Sequence, residues 1–163
     1  MSSPAANPYR AMLNGRDYRE VIAETPERLT DLVEKIGPSG MERSYAEGKW
    51  SASQILAHLA DCEIAFAFRL RQALAESHHL IQPFNQEAWA SIYPGMNVSH
   101  ALDVFRVVRA WNLAFVGALR ADAFAKPVSH PERGAMTLQT ILETIAGHDL
   151  NHLGQLETIA AQG

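Results

Sequence analysis

The sequence predicts an all-α protein: a four-helix bundle with long crossover connections. Three observations carry this expectation. Apolar residues recur at helical spacing in four segments, no run shows the period-two alternation of a strand, and two of the connections are long. With 163 residues, 47% hydrophobic and 20% charged, the chain has the composition of one ordinary domain. Such a length encloses a core without disulfides or a structural metal, so any metal present is expected to be functional. Residues 1–163 are read as a single domain, with 1–15 as a loosely ordered N-terminal segment.

The first helix is placed on TPERLTDLVEKIG. Thr25 is expected as its N-cap, Pro26 in its first turn, and Gly37-Pro38 as its stop. Leu29, Leu32, Val33 and Ile36 supply its apolar side, and RDYREVIAE before it is expected to add a turn that Pro26 interrupts. The second helix follows GKW. Ser51 and Gln54 make an S-x-x-Q capping box, and Ile55, Leu59, Cys62, Phe66 and Ala73 form its stripe, which ends near His78 and His79. A long connection, LIQPFNQEAWASIYPGMNVS, then holds a short helix around Gln86 to Ser91; connections of this length often carry function. Ser99 is expected to cap the third helix, with Val104, Val108, Trp111, Phe115 and Leu119 facing inward. After ADAFAKPVSHPERGAM, Thr137 caps a fourth helix whose inward residues include Leu138, Ile141, Leu142, Ile145, Leu153, Leu156 and Ile159.

Several function classes are set aside by composition. A net charge of -4 argues against a nucleic-acid partner, which asks for a basic face. No stretch approaches the roughly 20 apolar residues of a membrane helix, and the N-terminus lacks the pattern of a signal peptide. A cytoplasmic location and a small-molecule substrate are the expectations. Cys62 is the only cysteine, which rules out an internal disulfide.

The chemistry concentrates in histidines. His148 and His152 stand four residues apart along the apolar side of the fourth helix, in line with Ile141, Ile145 and Leu156. At that spacing their Cβ atoms lie about 5–6 Å apart, so both rings can converge on one ion. One helix does not easily complete a coordination sphere. His58 is the best third candidate, because it borders the stripe of the second helix about 40° from Cys62. A single helical histidine is more often exposed or hydrogen-bonded. Three interior-leaning ones on two helices need partners for six ring nitrogens, and a shared metal meets that need. Imidazole suits zinc, nickel, copper and iron alike.

Neighbouring residues carry weaker signals. Asp61 and Asp149 stand where a carboxylate can orient a ligand ring, although solvated helix carboxylates are more common. Glu63 is expected to face solvent. Gln155 is a site-lining or boundary residue, and Cys62 is either a second half-site with His58 or a small buried thiol. His78, His79 and His100 read as capping or exposed, while His130 is a pocket or plain loop residue. Trp50, Trp89 and Trp111 read as core. Arg109 and Arg133 are candidate clamps for a carboxylate, against the commoner reading as solvated arginines.

GKWSASQILAHLADCE and GHDLNHLGQLE resemble the second and fourth helices of DinB-like metalloproteins, and HPERGAMTL and TPERL fit one branch of them. The resemblance spans nearly the whole chain, and its specificity lies in the order and spacing of the motifs. It implies an up-down-down-up bundle and commonly a homodimer. It also implies a divalent metal, most often zinc or nickel, held by His58, His148 and His152. Such proteins include thiol-dependent S-transferases, a thiol-dependent isomerase and metal-dependent hydrolases. A three-histidine site with one open position, serving a low-molecular-weight thiol as cosubstrate, is the favoured expectation. A hydrolase and a non-catalytic, stress-related metal binder are the alternatives.

Overall fold

The computed structural model describes residues 7–163. In chain order the helices are α1 (Arg10–Leu13), α2 (Tyr18–Ile36), α3 (Ala52–Ala75), α4 (Gln86–Ala90), α5 (Val98–Gly117) and α6 (Leu138–Ala160). Three short strands, β1 (His79–Leu80), β2 (Pro127–His130) and β3 (Gly134–Thr137), form a small sheet, with β1 parallel and β3 antiparallel to β2. These strands went unread because two to four residues are too few to show a period. Of the N-terminal segment, residues 1–6 lie outside those described, and α1 packs on α6.

The four long helices form the expected bundle, each pair of neighbours being α2–α6, α6–α3, α3–α5 and α5–α2. Helices α2 and α6 run the same way: Tyr18 lies beside Glu143, and further on Arg28 pairs with Glu157. Helices α3 and α5 run against them. Ile55 and Leu56 from the start of α3, and Phe105 near the start of α5, share one core cluster with Leu156 and Ile159 from the end of α6. Leu70 and Ala73 near the end of α3 join Leu138 and Ile141 from the start of α6 in another. The order is up-down-down-up. Because α3 and α5 are parallel neighbours, residues 76–97 must travel back along the bundle, which explains the long connection. Among the described residues no helix is long and apolar enough to cross a membrane.

The capping box of Ser51 with Gln54 falls where expected before α3, and Thr137 caps α6 as expected, forming with Thr140 a second box not expected from the sequence. Other boundaries are corrected. Asp17, not Thr25, caps α2, which runs unbroken through Pro26. Proline has no N–H to offer the carbonyl of Ile22. Arg109 Nη1, on α5, donates to that carbonyl at 2.9 Å and so satisfies the acceptor that Pro26 leaves free. Asn97 rather than Ser99 caps α5, its side chain accepting from the backbone of Ser99 and His100.

The inward face of α5 is corrected in part: Phe115 and Leu119 pack against the core as expected. Ala101, Phe105, Arg109 and Asn112 point inward, whereas Trp111 is 67% exposed and Val104 faces solvent. Glu63, expected at the surface, is buried against Arg109, with Oε2 2.7 Å from Nη2. Asp149 closes the cluster at 2.7 Å from Arg109 Nη1, and Asn112 Nδ2 donates to Glu63 at 2.8 Å. Apolar counting misses such a face because its central residues are charged. They are admitted to the interior only as a mutually satisfied set.

Candidate metal centre

The boxes that start α3 and α6 fix where three imidazoles meet. His58 enters from the second turn of α3, and His148 and His152 from the middle of the antiparallel α6. All three are buried. Their ligand-capable nitrogens lie within 4.8 Å of one another, and His58 Nε2 is 3.0 Å from His148 Nε2. Ring centroids stand 4.5 to 5.1 Å apart. The sequence-expected trio is therefore one cluster.

Burial decides the charge of these rings. It pushes His58 down to about 3, with help from His152, and His152 down to about 4 despite its bond to Gln155. His148 is held well below its ordinary value by burial and then by its two histidine neighbours. Each ring is neutral near pH 7 and keeps one lone pair. Gln155 Oε1 lies 2.8 Å from His152 Nδ1, so it accepts that N–H and leaves the lone pair on Nε2. Gln155 is thus the orienting group, not either aspartate. Three neutral imidazoles whose ring nitrogens converge in this way fit a divalent cation, which can use a lone pair from each.

The other candidates are sorted by contact. Asp61 accepts the Tyr93 hydroxyl at 2.9 Å, and Asp149 is bound to Arg109, so neither orients a histidine ring. Arg109 is in that ion cluster and does not line the cavity beside the histidines, which removes it as a clamp. Cys62 Sγ is 3.4 Å from His58 Nε2, and burial holds its thiol well above the ordinary range, so it is uncharged. His100 and His78 are exposed, whereas His79 is buried with Nδ1 3.0 Å from Glu76 Oε2. Of the tryptophans, only Trp50 packs at the site, its ring 4.8 Å from that of His58; Trp89 stacks on Phe84.

A cavity of about 170 Å³ adjoins the cluster. Cys62, Phe66 and Arg69 of α3, Phe84 and Gln86 of the long connection, His130 and Arg133 around the β2–β3 turn, and His148 line it. His130 and Arg133 are therefore pocket residues. Tyr9 and Arg69 were missed by the sequence reading. Tyr9 comes from a segment without periodicity, and its ring lies 5.4 Å from that of His148. Arg69 had a usable signal: it follows Cys62 and Phe66 at helical spacing on the same face.

The DinB superfamily model matches residues 22–156, most of the chain. The chain belongs to the DinB superfamily. This DinB-superfamily chain is 24% identical over 144 residues to the Bacillus subtilis (strain 168) protein named "Putative metal-dependent hydrolase YfiT", covering 86% of this chain and 81% of that one. A protein of the same hydrolase description from Oceanobacillus iheyensis is 23% identical over 139 residues, with 85% and 81% covered. The solved structure of Bacillus subtilis YfiT, described as having an unusual four-helix bundle topology, superposes with a TM-score of 0.82 at 23% identity, over 89% of this chain and 85% of that one. The mycothiol-dependent maleylpyruvate isomerase superposes with a TM-score of 0.68 at 15% identity, over 96% of this chain but 63% of its own. At these identities the structural likeness establishes the shared DinB bundle.

Proposed function

We propose that this chain is a metal-dependent enzyme that binds a divalent ion, zinc or nickel, through His58, His148 and His152. In this reading it acts on a small molecule with a low-molecular-weight thiol as cosubstrate, in S-transferase chemistry. The observation that carries it is the convergence of three neutral imidazoles, His58 and His148 Nε2 being 3.0 Å apart, beside a cavity that reaches His148. An ion at such a site supplies Lewis acidity, lowering the pKa of a thiol or water that it binds. The chain's own residues prepare the place. Gln155 fixes the His152 tautomer, and Phe66 and Trp50 shield the rings from bulk water. Burial keeps the Cys62 thiol protonated in the metal-free chain, and in this reading the thiol role belongs to an incoming molecule. Likeness to a mycothiol-dependent enzyme supports the thiol, and a thiol-rich compartment such as the cytoplasm suits it.

The second reading is a metal-dependent hydrolase, favoured by the description that the curated relatives share. A non-catalytic metal protein would require a closing fourth ligand, and Asp61 is already engaged by Tyr93. Elemental analysis of the untagged protein, then calorimetric metal titration, tests the site. His58→Ala, His148→Ala and His152→Ala should each largely abolish binding while His100→Ala leaves it intact; unchanged affinity in all three would remove the site. With the ion loaded, turnover of electrophiles only when a thiol is added supports the transferase, and thiol-independent ester or amide cleavage supports the hydrolase.

A homodimer belongs to the same proposal. Ile64 and Phe68 on α3, with Val107 and Trp111 on the adjacent α5, are each more than half exposed and form an apolar face that a second copy would cover.

A further inference from the structure

The cavity beside the histidines holds two guanidinium groups without a carboxylate partner. Arg69 Nη2 donates to the carbonyl of Gln82 at 3.0 Å, and its plane lies over Phe84 and Phe66. Among the described residues no ion pair uses Arg69 or Arg133. The two are close enough to feel one another. Arg69 is held below its ordinary value by burial, against an opposing pull from Cys62 and with the charge of Arg133 adding to the fall, and His130 by burial and then by the same arginine, against an opposing pull from Glu132.

His130 adds a third, uncharged donor. Its Nδ1 accepts the backbone N–H of Glu132 at 3.2 Å, so the ring proton of the neutral form sits on Nε2. Glu132 is the one carboxylate at the rim; it is exposed and pairs with neither arginine. The remaining wall is largely apolar, including Ile81, Met136 and Ile141. Two like charges in a half-buried cavity repel, and an anion placed between them adds two attractions that outweigh that repulsion. Guanidinium groups bind carboxylates with paired, charge-assisted hydrogen bonds.

We infer that the cavity binds a small organic carboxylate with an apolar body, its charged end at Arg69 and Arg133 and its other end toward His148 and Cys62. As substrate or cosubstrate of the metal-dependent reaction, this ligand class rests on the reading above. As a binding site, it stands on the cavity alone.

Binding of 3-phenylpropanoate and of its uncharged counterpart 3-phenylpropanamide, by calorimetry on zinc-loaded protein, tests the inference. The two probes share size and shape and differ in charge. The carboxylate should bind on the order of tenfold more tightly or better. That preference should vanish in Arg133→Ala and in Arg69→Met, the latter keeping an apolar stem over the two phenylalanines. Equal affinity for both probes in the native chain, or a preference surviving in both variants, would overturn the arginine site. Repeating the titration on His148→Ala separates the two claims. A preference that persists there and still needs the arginines upholds the cavity assignment even if the chain binds no metal. A preference lost there but kept in the arginine variants assigns the carboxylate to the ion and overturns it.

Discussion

His58, His148 and His152 are held neutral by burial, with His58 at about 3 and His152 at about 4, and this gives the metal-free protein a defined response to acid. An unfolded histidine takes up its proton near pH 6.5, whereas these folded rings do so only well below it. Between those limits the unfolded chain binds more protons, so stability falls as pH falls. The contribution is fully present above about pH 6.5 and is lost progressively toward about pH 4 and below. Between pH 7 and 5 His58 and His152 should each cost about 2 kcal/mol, and His148 adds a loss of the same sign. Urea unfolding of chelator-treated protein at both pH values checks this. His58→Gln should lose about 2 kcal/mol less than the native chain over the same interval; an identical loss would show that His58 ionises normally in the fold.

At the scale of elements, α6 must admit the N-terminal segment and tie the other helices together. A Cβ on Gly147 would come within 2.5 Å of the Tyr9 carbonyl oxygen and 2.6 Å of its Cβ, while one on Gly154 would meet nothing within 4 Å. Alanine favours a helix interior over glycine by about 0.8–1.0 kcal/mol. Gly154→Ala should therefore stabilise by up to about that amount. Gly147→Ala should destabilise by about 1–3 kcal/mol, because backbone and not a flexible tip stands in the way. Equal effects in thermal or urea unfolding would deny that Tyr9 packs there. Arg109 ties α5 to α3, α6 and the Pro26 turn of α2 through Glu63, Asp149 and the Ile22 carbonyl. Burial alone would push its guanidinium down, but Asp149 and Glu63 outweigh that and hold it above its ordinary value. Arg109→Met strands two buried carboxylates and should cost about 3–5 kcal/mol. Glu63→Gln combined with Arg109→Met should recover part of that loss in the same unfolding assay.

For the whole molecule, the outer face of α3 and α5 bears on assembly. Trp111→Glu and Phe68→Glu place charges on exposed positions, so the fold should survive while the proposed dimer dissociates. Sedimentation velocity should show a dimer for the native chain and a monomer for the double variant, with unchanged helical circular dichroism. A native chain that sediments as a monomer across micromolar concentrations would sink the dimer.

The four-helix class, the Ser51 capping box, the Thr137 cap and the paired His148 and His152 were legible in the sequence because each rests on short-range periodicity. Hydrogen bonds three residues apart and rings four residues apart are fixed by the helix itself. The inward faces of α3 and α6 were readable for the same reason. Their central residues are apolar, and Ile55, Leu59, Leu153 and Leu156 are all buried as expected. What the sequence left out depends on partners distant along the chain. Pro26 does not break α2, because Arg109 reaches the freed carbonyl from α5, 87 residues away in number. Glu63 is buried because Arg109 and Asn112 meet it, and Arg69 shares a cavity with Arg133 because the β2–β3 turn folds against α3. Local pattern determines where a helix runs and which apolar side it buries. Only tertiary structure decides which charges are allowed inside, because a buried charge is tolerated only where another element brings its counterpart.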